Sequence, residues 1–467
     1  MDLADHDSRV AAIAAAVGGF DDGRFRTELA RRVAYRSESQ DGGNAGELDR
    51  YLVEAMVPDL EALGFVCQLH ANPAGHPGRF LVARRTEEAA LPTVLTYGHG
   101  DVIRGYAEQW DEGLSPWELV ERDGRWYGRG TADNKGQHLI NVEALKAVLQ
   151  ARGRLGFNVV MLLEMGEESG SPGLAAFARE HGDALAADLL IASDGPRLEA
   201  LTPTLFMGSR GVMNFDLVLD LRDSGHHSGN WGGLLANPGI VLAHALASIT
   251  SASGQIRVVG WRPPTIPASI TAAVAPLRVG EGPDNPDVDP DWGEPCLSPG
   301  EKLLAWPSFE VLAFTCGNPG KPANAVPPRA LAHCHLRFVP PIRPEQIVPA
   351  LRAHLDERGF EAVRIEAREA MAATRMLPDH PLVRWAAASM QRTSGKETAI
   401  LPNLGGSLPN EVFAETLGLP TLWVPHSYAG CRQHAPNEHV LPELCREALA
   451  IMAGLWWDLG AGEVPLR

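Results

Sequence analysis

The 467-residue chain lacks any apolar run of the roughly 18 residues needed to span a membrane. It also lacks a Lys- or Arg-rich stretch. Acidic residues outnumber basic ones 58 to 41, for a net charge of −17. Without clustered cations the chain cannot neutralise a phosphate backbone or an anionic lipid surface, so neither nucleic acid nor membrane is expected as a partner. Cysteine is sparse: Cys67, Cys296, Cys316, Cys334, Cys431 and Cys445 contain no C-x-x-C pair, which argues against a disulfide scaffold and a structural zinc knuckle. No repeat of solenoid length and no low-complexity tract occurs. The opening MDLADHDSRV carries acids where a secretory leader has a basic and then an apolar segment, so a cytoplasmic location is expected.

What is present resembles ordinary globular usage, with 45% hydrophobic and 21% charged residues, and the length predicts two or three domains. Glycine (48) and proline (36) exceed average usage and mark either linkers or shaped loops. Residues 7–35 and 48–64 read as helices. The runs FVCQLH, RFLVARR, TVLTYGH, FNVVMLLE and DLLIASD read as strands, with a helix over NKGQHLINVEALKAVLQARG. Strands alternating with helices predict an α/β domain on a mixed, mostly parallel sheet. From about 203 the texture changes. TLFMGSRGVMNFDLVLDL reads as a hairpin-like pair, followed by a helix at 238–250, strands QIRVVG, RALAHCHLRFVP and EAVRIEAR, and a helix at 344–358. This α+β pattern predicts a second domain over 203–375 inserted into a first made of 1–202 and 376–467.

Several strand runs end in polar residues, where open α/β sheets gather functional groups. Four clusters stand out: Tyr97-Gly-His99-Gly-Asp101, Gly128-Arg-Gly-Thr-Ala-Asp133-Asn-Lys-Gly136, Glu164-Met-Gly-Glu167-Glu168-Ser-Gly170 and Ser193-Asp194-Gly195. A fifth, His434-Ala-Pro-Asn-Glu438, lies far downstream. Two histidines, two aspartates and one glutamate make a mixed donor set suited to zinc, manganese or cobalt, whereas calcium prefers all oxygen. Two divalent ions share such a set if one carboxylate bridges them, and a water between them would be acidified into a nucleophile. Asp101 is placed to hold the second nitrogen of His99. Either Glu167 or Glu168 is then left free to move the proton.

These motifs resemble those of the M20 metallopeptidases, a group that includes carnosine-type dipeptidases, glutamate carboxypeptidase, aminoacylase and acetylornithine deacetylase. The resemblance spans nearly the whole chain. It implies a zinc-peptidase-like catalytic domain interrupted by an α+β lid that also dimerises, two divalent ions per subunit with zinc the first choice and manganese or cobalt as alternatives, and a homodimer. By motif it implies His99, Asp133, Glu168, Asp194 and His434 as metal ligands, with Asp133 bridging and a cis peptide before Asn134. Glu167 matches the general base and acid, and Asp101 the orienting acid. In Asp223-Ser-Gly-His-His227-Ser-Gly229, His227 matches the lid histidine that reaches the partner subunit's site. Asn324 and Arg337 match the lid pair that contacts substrate, Arg337 clamping a carboxylate. Gly406 and Ser407, in Gly405-Gly406-Ser407, match the loop that binds the substrate backbone.

The implied reaction is hydrolysis of an amide bond in a dipeptide or short peptide by a hydroxide bridging the metals, with N-acyl-amino-acid deacylation as the alternative. The long lid favours a metallodipeptidase or short-peptide carboxypeptidase. Asn134, where dipeptidases carry a second acid, and Asn324, where carnosine-type enzymes often carry Thr, depart from the pattern. Two other features have structural readings: His333 and His335 share one strand face, and the acidic stretch 284–294 reads as a solvated loop, since it lacks the glycine at position six and the glutamate at position twelve of an EF-hand loop.

Overall fold

The five apolar runs of the first half become strands β1 (Val66–His70), β2 (Phe80–Arg85), β3 (Thr93–His99), β4 (Asn158–Glu164) and β5 (Leu189–Ala192). Every residue of β4 and β5 is buried, which is why these runs are continuously apolar instead of alternating. They belong to a computed structural model describing residues 3–40, 44–281 and 286–466. Asp284 and Asn285, at the start of the acidic stretch, fall outside the described residues. Among the described residues no helix is long and apolar enough to cross a membrane.

β6 (Thr204–Phe206) is followed by four strands of a separate sheet: β7 (Gly211–Asp220), β8 (Ser308–Cys316), β9 (Arg329–Phe338) and β10 (Arg364–Met371). The chain then returns with β11 (Ala399–Leu401) and β12 (Thr421–Trp423). The first sheet has the order β1-β2-β4-β3-β5-β12-β6-β11. Its centre, β4, β3, β5 and β12, is parallel, so the carboxyl ends of these strands share one edge. One face packs under helices that include Lys135–Arg152 and Pro442–Gly460, whose Trp456 and Trp457 are core residues. The second sheet, β8-β9-β7-β10, is antiparallel throughout, and the helices Pro238–Ile249 and Pro344–Asp356 contribute Leu242, Ile249, Leu351 and Leu355 to its core.

Three expectations change. Residues 204–221 are not a hairpin, because β6 pairs within the first sheet and β7 within the second. Between them residues 207–210 cross from one sheet to the other beside the returning segment: Thr374 N–H donates to the Ser209 carbonyl (3.1 Å) and Met376 N–H to that of Met207 (3.0 Å). Gly208 permits this approach, since a Cβ there would lie 2.2 Å from the Thr374 carbonyl oxygen. QIRVVG is not a strand; it makes one isolated bridge, Thr250 to Ile256, and turns into a 3-10 segment at Val259–Trp261. The missing strand is β8, whose Val311, Leu312 and Phe314 are exposed, so no burial rhythm marks it in the sequence. The helix over 7–35 is two, Leu3–Asp21 and Arg24–Val33, broken at Gly23 with φ 85°.

Part of the chain between β7 and β8 does not stay with the second sheet. Ile270, Val274, Leu304 and Ala305 pack with Phe413 and Trp423 in the core on the other face of the first sheet.

Candidate metal centre

Three adjacent parallel strands deliver the site to one edge. His99 ends β3, Glu167 and Glu168 lie in the 3-10 turn after β4, and Asp194 follows β5. Asp133 sits just ahead of the helix Lys135–Arg152, which approaches β3 so closely that a Cβ at Gly98 would lie 2.7 Å from that of His138. His434 arrives from the loop beyond β12. The Asp133–Asn134 peptide is cis.

The side chains converge as two donor trios. His99, Asp133 and Asp194 form one; Asp133, Glu168 and His434 form the other, each within a 4.8 Å span. Asp133 serves both. Its Oδ1 lies 3.1 Å from His99 Nε2, and its Oδ2 3.1 Å from His434 Nε2. His99 Nε2 also faces Asp194 Oδ2 at 3.6 Å, and His434 Nε2 faces Glu168 Oε2 at 3.0 Å. Glu167 belongs to neither trio; its Oε2 is 3.9 Å from His99 Nε2. Asp194 Oδ1 accepts its neighbour Gly195 N–H (2.6 Å), while Oδ2 is buried with no hydrogen-bond partner. An orphaned buried carboxylate oxygen aimed at an imidazole nitrogen suits a cation between them. Two mixed N/O trios joined by one carboxylate therefore fit two divalent ions.

The electrostatics agree. Burial opposes the charged form of His99, yet Asp101, Asp133 and Asp194 hold its pKa well above the usual imidazole value. His434, bonded to Asp133 and Glu168, is pushed to about 11. Burial works against ionised Asp133, but the two imidazoles His434 and His99 keep it below the carboxylate range. Burial and the nearby Asp133 raise Glu168 to about 7. Burial raises Glu167 far above the usual value; His99 opposes this, and Glu168, Asp194 and Asp133 add to it. Carboxylates this crowded call for positive countercharge.

Surrounding groups hold the donors. His99 Nδ1 faces the Asp101 carbonyl at 3.1 Å and its carboxylate Oδ1 at 3.5 Å. The same carboxylate accepts Glu167 N–H (3.2 Å) and Glu168 N–H (3.0 Å), so it anchors the acidic turn as well as the imidazole. Asn134 donates its side-chain amide to the Ser193 carbonyl (2.8 Å) while its oxygen faces His138 Nδ1 at 3.2 Å. An aspartate could not make the first bond, which accounts for the amide at this position. Glu164, also buried, accepts Tyr97 O–H (2.6 Å) and Ser171 O–H (2.9 Å) and is raised by burial to about 7. Its place at the head of the Glu164–Gly170 motif was the only sign of it in the sequence.

The residues expected to contact substrate from a lid and the 405–407 loop fall into two groups. Arg337 Nη1 donates to Ser407 Oγ (2.8 Å), and Ser407 donates to the Arg210 carbonyl (2.7 Å), which brings Arg337 against the Gly405-Gly406-Ser407 loop. Arg210 was not anticipated; its Nε donates to the Gly405 carbonyl (2.7 Å). His227 and Asn324 meet elsewhere. His227 pairs with Ala325 across a two-residue ladder and Ser228 N–H donates to the Asn324 carbonyl (2.9 Å), leaving both residues exposed and remote from the donors in sequence and strand. His333 and His335 do share a face, where they meet Asp216 and Asn214 at 2.7 Å each.

The sequence profile of Peptidase family M20/M25/M40 matches residues 95–458. The chain is 28% identical to the Beta-Ala-His dipeptidase of Mus musculus over 89% of its own length and 85% of that protein. It is 28% identical to the cysteinylglycine-S-conjugate dipeptidase of Corynebacterium striatum over 75% and 76%. Among solved structures, an M20 family metallo-carboxypeptidase from Sulfolobus solfataricus superposes with a TM-score of 0.80 at 25% identity, covering 94% of this chain and 99% of that one. Human carnosine dipeptidase 1 shares the fold, with a TM-score of 0.74 at 20% identity over 97% and 99%. With a matched profile spanning all five motif clusters and a fold common to these enzymes, the chain belongs to peptidase family M20/M25/M40 and is a hydrolase.

Proposed function

We propose that this protein is a metal-dependent dipeptidase whose dinuclear site is held by His99, Asp133, Glu168, Asp194 and His434. The observation that carries the reading is the division of Asp133, one oxygen toward each imidazole. Zinc is the ion we assign, with manganese or cobalt able to use the same donors. Bound ions would acidify a water and polarise the scissile carbonyl. The rest falls to the chain. Glu167, beside the donors but outside both trios, takes the proton from the attacking water and returns it to the leaving amine. Asp101 keeps His99 and the Glu167–Glu168 turn in register. Arg337, steadied by Ser407 next to Gly406, binds the substrate carboxylate.

His227 and Asn324 are read as serving a partner's site, which needs a homodimer joined through the lid. The exposed Val311, Leu312 and Phe314 on edge strand β8 support that surface. We take 203–375 as the lid and 1–202 with 376–467 as the catalytic domain, the crossings lying at 207–210 and 372–376. A cytoplasmic location is part of this reading.

The names of the relatives favour a dipeptide over an N-acyl amino acid. The discriminating experiment supplies dipeptides and N-acetyl or N-succinyl amino acids to enzyme reconstituted with zinc, manganese or cobalt, with metal content measured in parallel. Dipeptide turnover with two ions per chain is expected. Turnover confined to N-acyl substrates would sink the dipeptidase, and less than one ion per chain would sink the dinuclear site.

A further inference from the structure

Four residues beyond His434, the carboxylate of Glu438 is buried, and it belongs to neither donor trio. Its Oε1 accepts backbone N–H groups of Gly130 (3.1 Å), Ala132 (2.9 Å) and Asp133 (3.1 Å), while Oε2 accepts Arg129 Nη1 (2.7 Å). The attachment is reciprocal, since Gly128 N–H donates to the Glu438 carbonyl at 3.0 Å. The 128–133 segment is neither strand nor helix, so these amides have no ladder of their own, and one carboxylate satisfies three of them. The two ends of this arrangement carry the two residues that matter most to the spacing of the trios: the shared donor Asp133 on one segment and His434 on the other. A change of backbone direction at Asp133 would turn both of its oxygens at once.

We propose that Glu438 is a positioning residue of the dinuclear centre: it pins the backbone at Asp133 to the segment bearing His434, and so sets the spacing of the two trios without touching metal or substrate. This rests on the reading of Asp133 as a ligand shared by two ions. Substitution chemistry makes the role testable. In Glu438→Gln the remaining oxygen still accepts the three amides, but an NH2 group then meets the Arg129 guanidinium, donor against donor. In Glu438→Ala all four donors lose their acceptor.

The experiment strips the wild-type chain and both variants of metal, follows zinc binding by calorimetry, records the melting temperature of each metal-free form, and measures kcat and KM after reloading. Wild type is expected to take two ions. Glu438→Gln should melt within a few degrees of it in the metal-free form, while both ions bind at least about tenfold more weakly. In that variant kcat should fall with KM nearly unchanged, and Glu438→Ala should show the same pattern more strongly. Should Glu438→Ala fail to fold, Glu438→Gln decides alone. Two ions bound as in wild type with normal kcat would overturn the role. So would weakening of the ions that merely follows a large drop in metal-free melting temperature, because that describes a merely structural residue. A wild-type chain that binds a single ion would instead overturn the shared-ligand reading itself.

Discussion

The candidate donors and the residues expected on a lid are built from opposite materials. His99, Asp133 and Asp194 are buried at the ends of central strands or against a long helix, each fixed by neighbours such as Asp101 and Gly195. His227 and Asn324 lie exposed on and beside a two-residue ladder, His227 paired with Ala325 and the Asn324 carbonyl accepting from Ser228. Arg337 is intermediate, at the meeting of β9 with the 405–407 loop. The buried group is complete within one chain, because burial supplies the preorganisation that metal binding needs. The candidate donors are held by buried strand ends and a long helix, whereas His227 and Asn324 stand in exposed segments between β7 and β9.

Three substitutions would break or sharpen this contrast. The largest effect is expected from Glu167→Ala: kcat falls by roughly a thousandfold or more with both ions retained, since Glu167 stands outside both trios. Metal analysis alongside turnover checks it, and loss of metal would return Glu167 to the donor set. Next, His227→Ala should lower kcat by about a hundredfold, in the range of a lost oxyanion donor. Mixing His227→Ala with Glu167→Ala chains should then restore part of the activity if the lid histidine works across a dimer. Verified heterodimers without recovery would place His227 in its own chain's site or in none. Smallest is Arg337→Gln, expected to cost about ten- to a hundredfold, mostly in KM, by removing one charged clamp on the carboxylate. Equal losses with substrates bearing and lacking a free carboxylate would show that Arg337 binds something else.

Much of the site was legible in the sequence, for a physical reason. Residues such as His99 and Asp194 sit at or just past the ends of apolar strands, and a parallel sheet brings its strand ends to one edge whatever the loops do. The harder features were those with no periodicity. Strand β8 is apolar yet exposed, so it shows neither alternation nor a buried run. The residues 204–221 carry two strand signals that look like a hairpin, and only pairing to distant partners, β11 and β12 for one and β9 and β10 for the other, separates them. Glu438 was visible as a letter in a motif, but its role depends on amides some three hundred positions earlier.

By itself the sequence determined the donor chemistry, the family and the alternation of strand and helix, since these follow from residue type and from local period. Only the tertiary structure decided that Asp133 faces both imidazoles, that Asp101 holds the acidic turn, and that Ile270, Val274, Leu304 and Ala305 pack with Phe413 and Trp423 against the first sheet. Those depend on distances between segments far apart in the chain, set by the packing of the whole sheet and its helices, which no local pattern encodes.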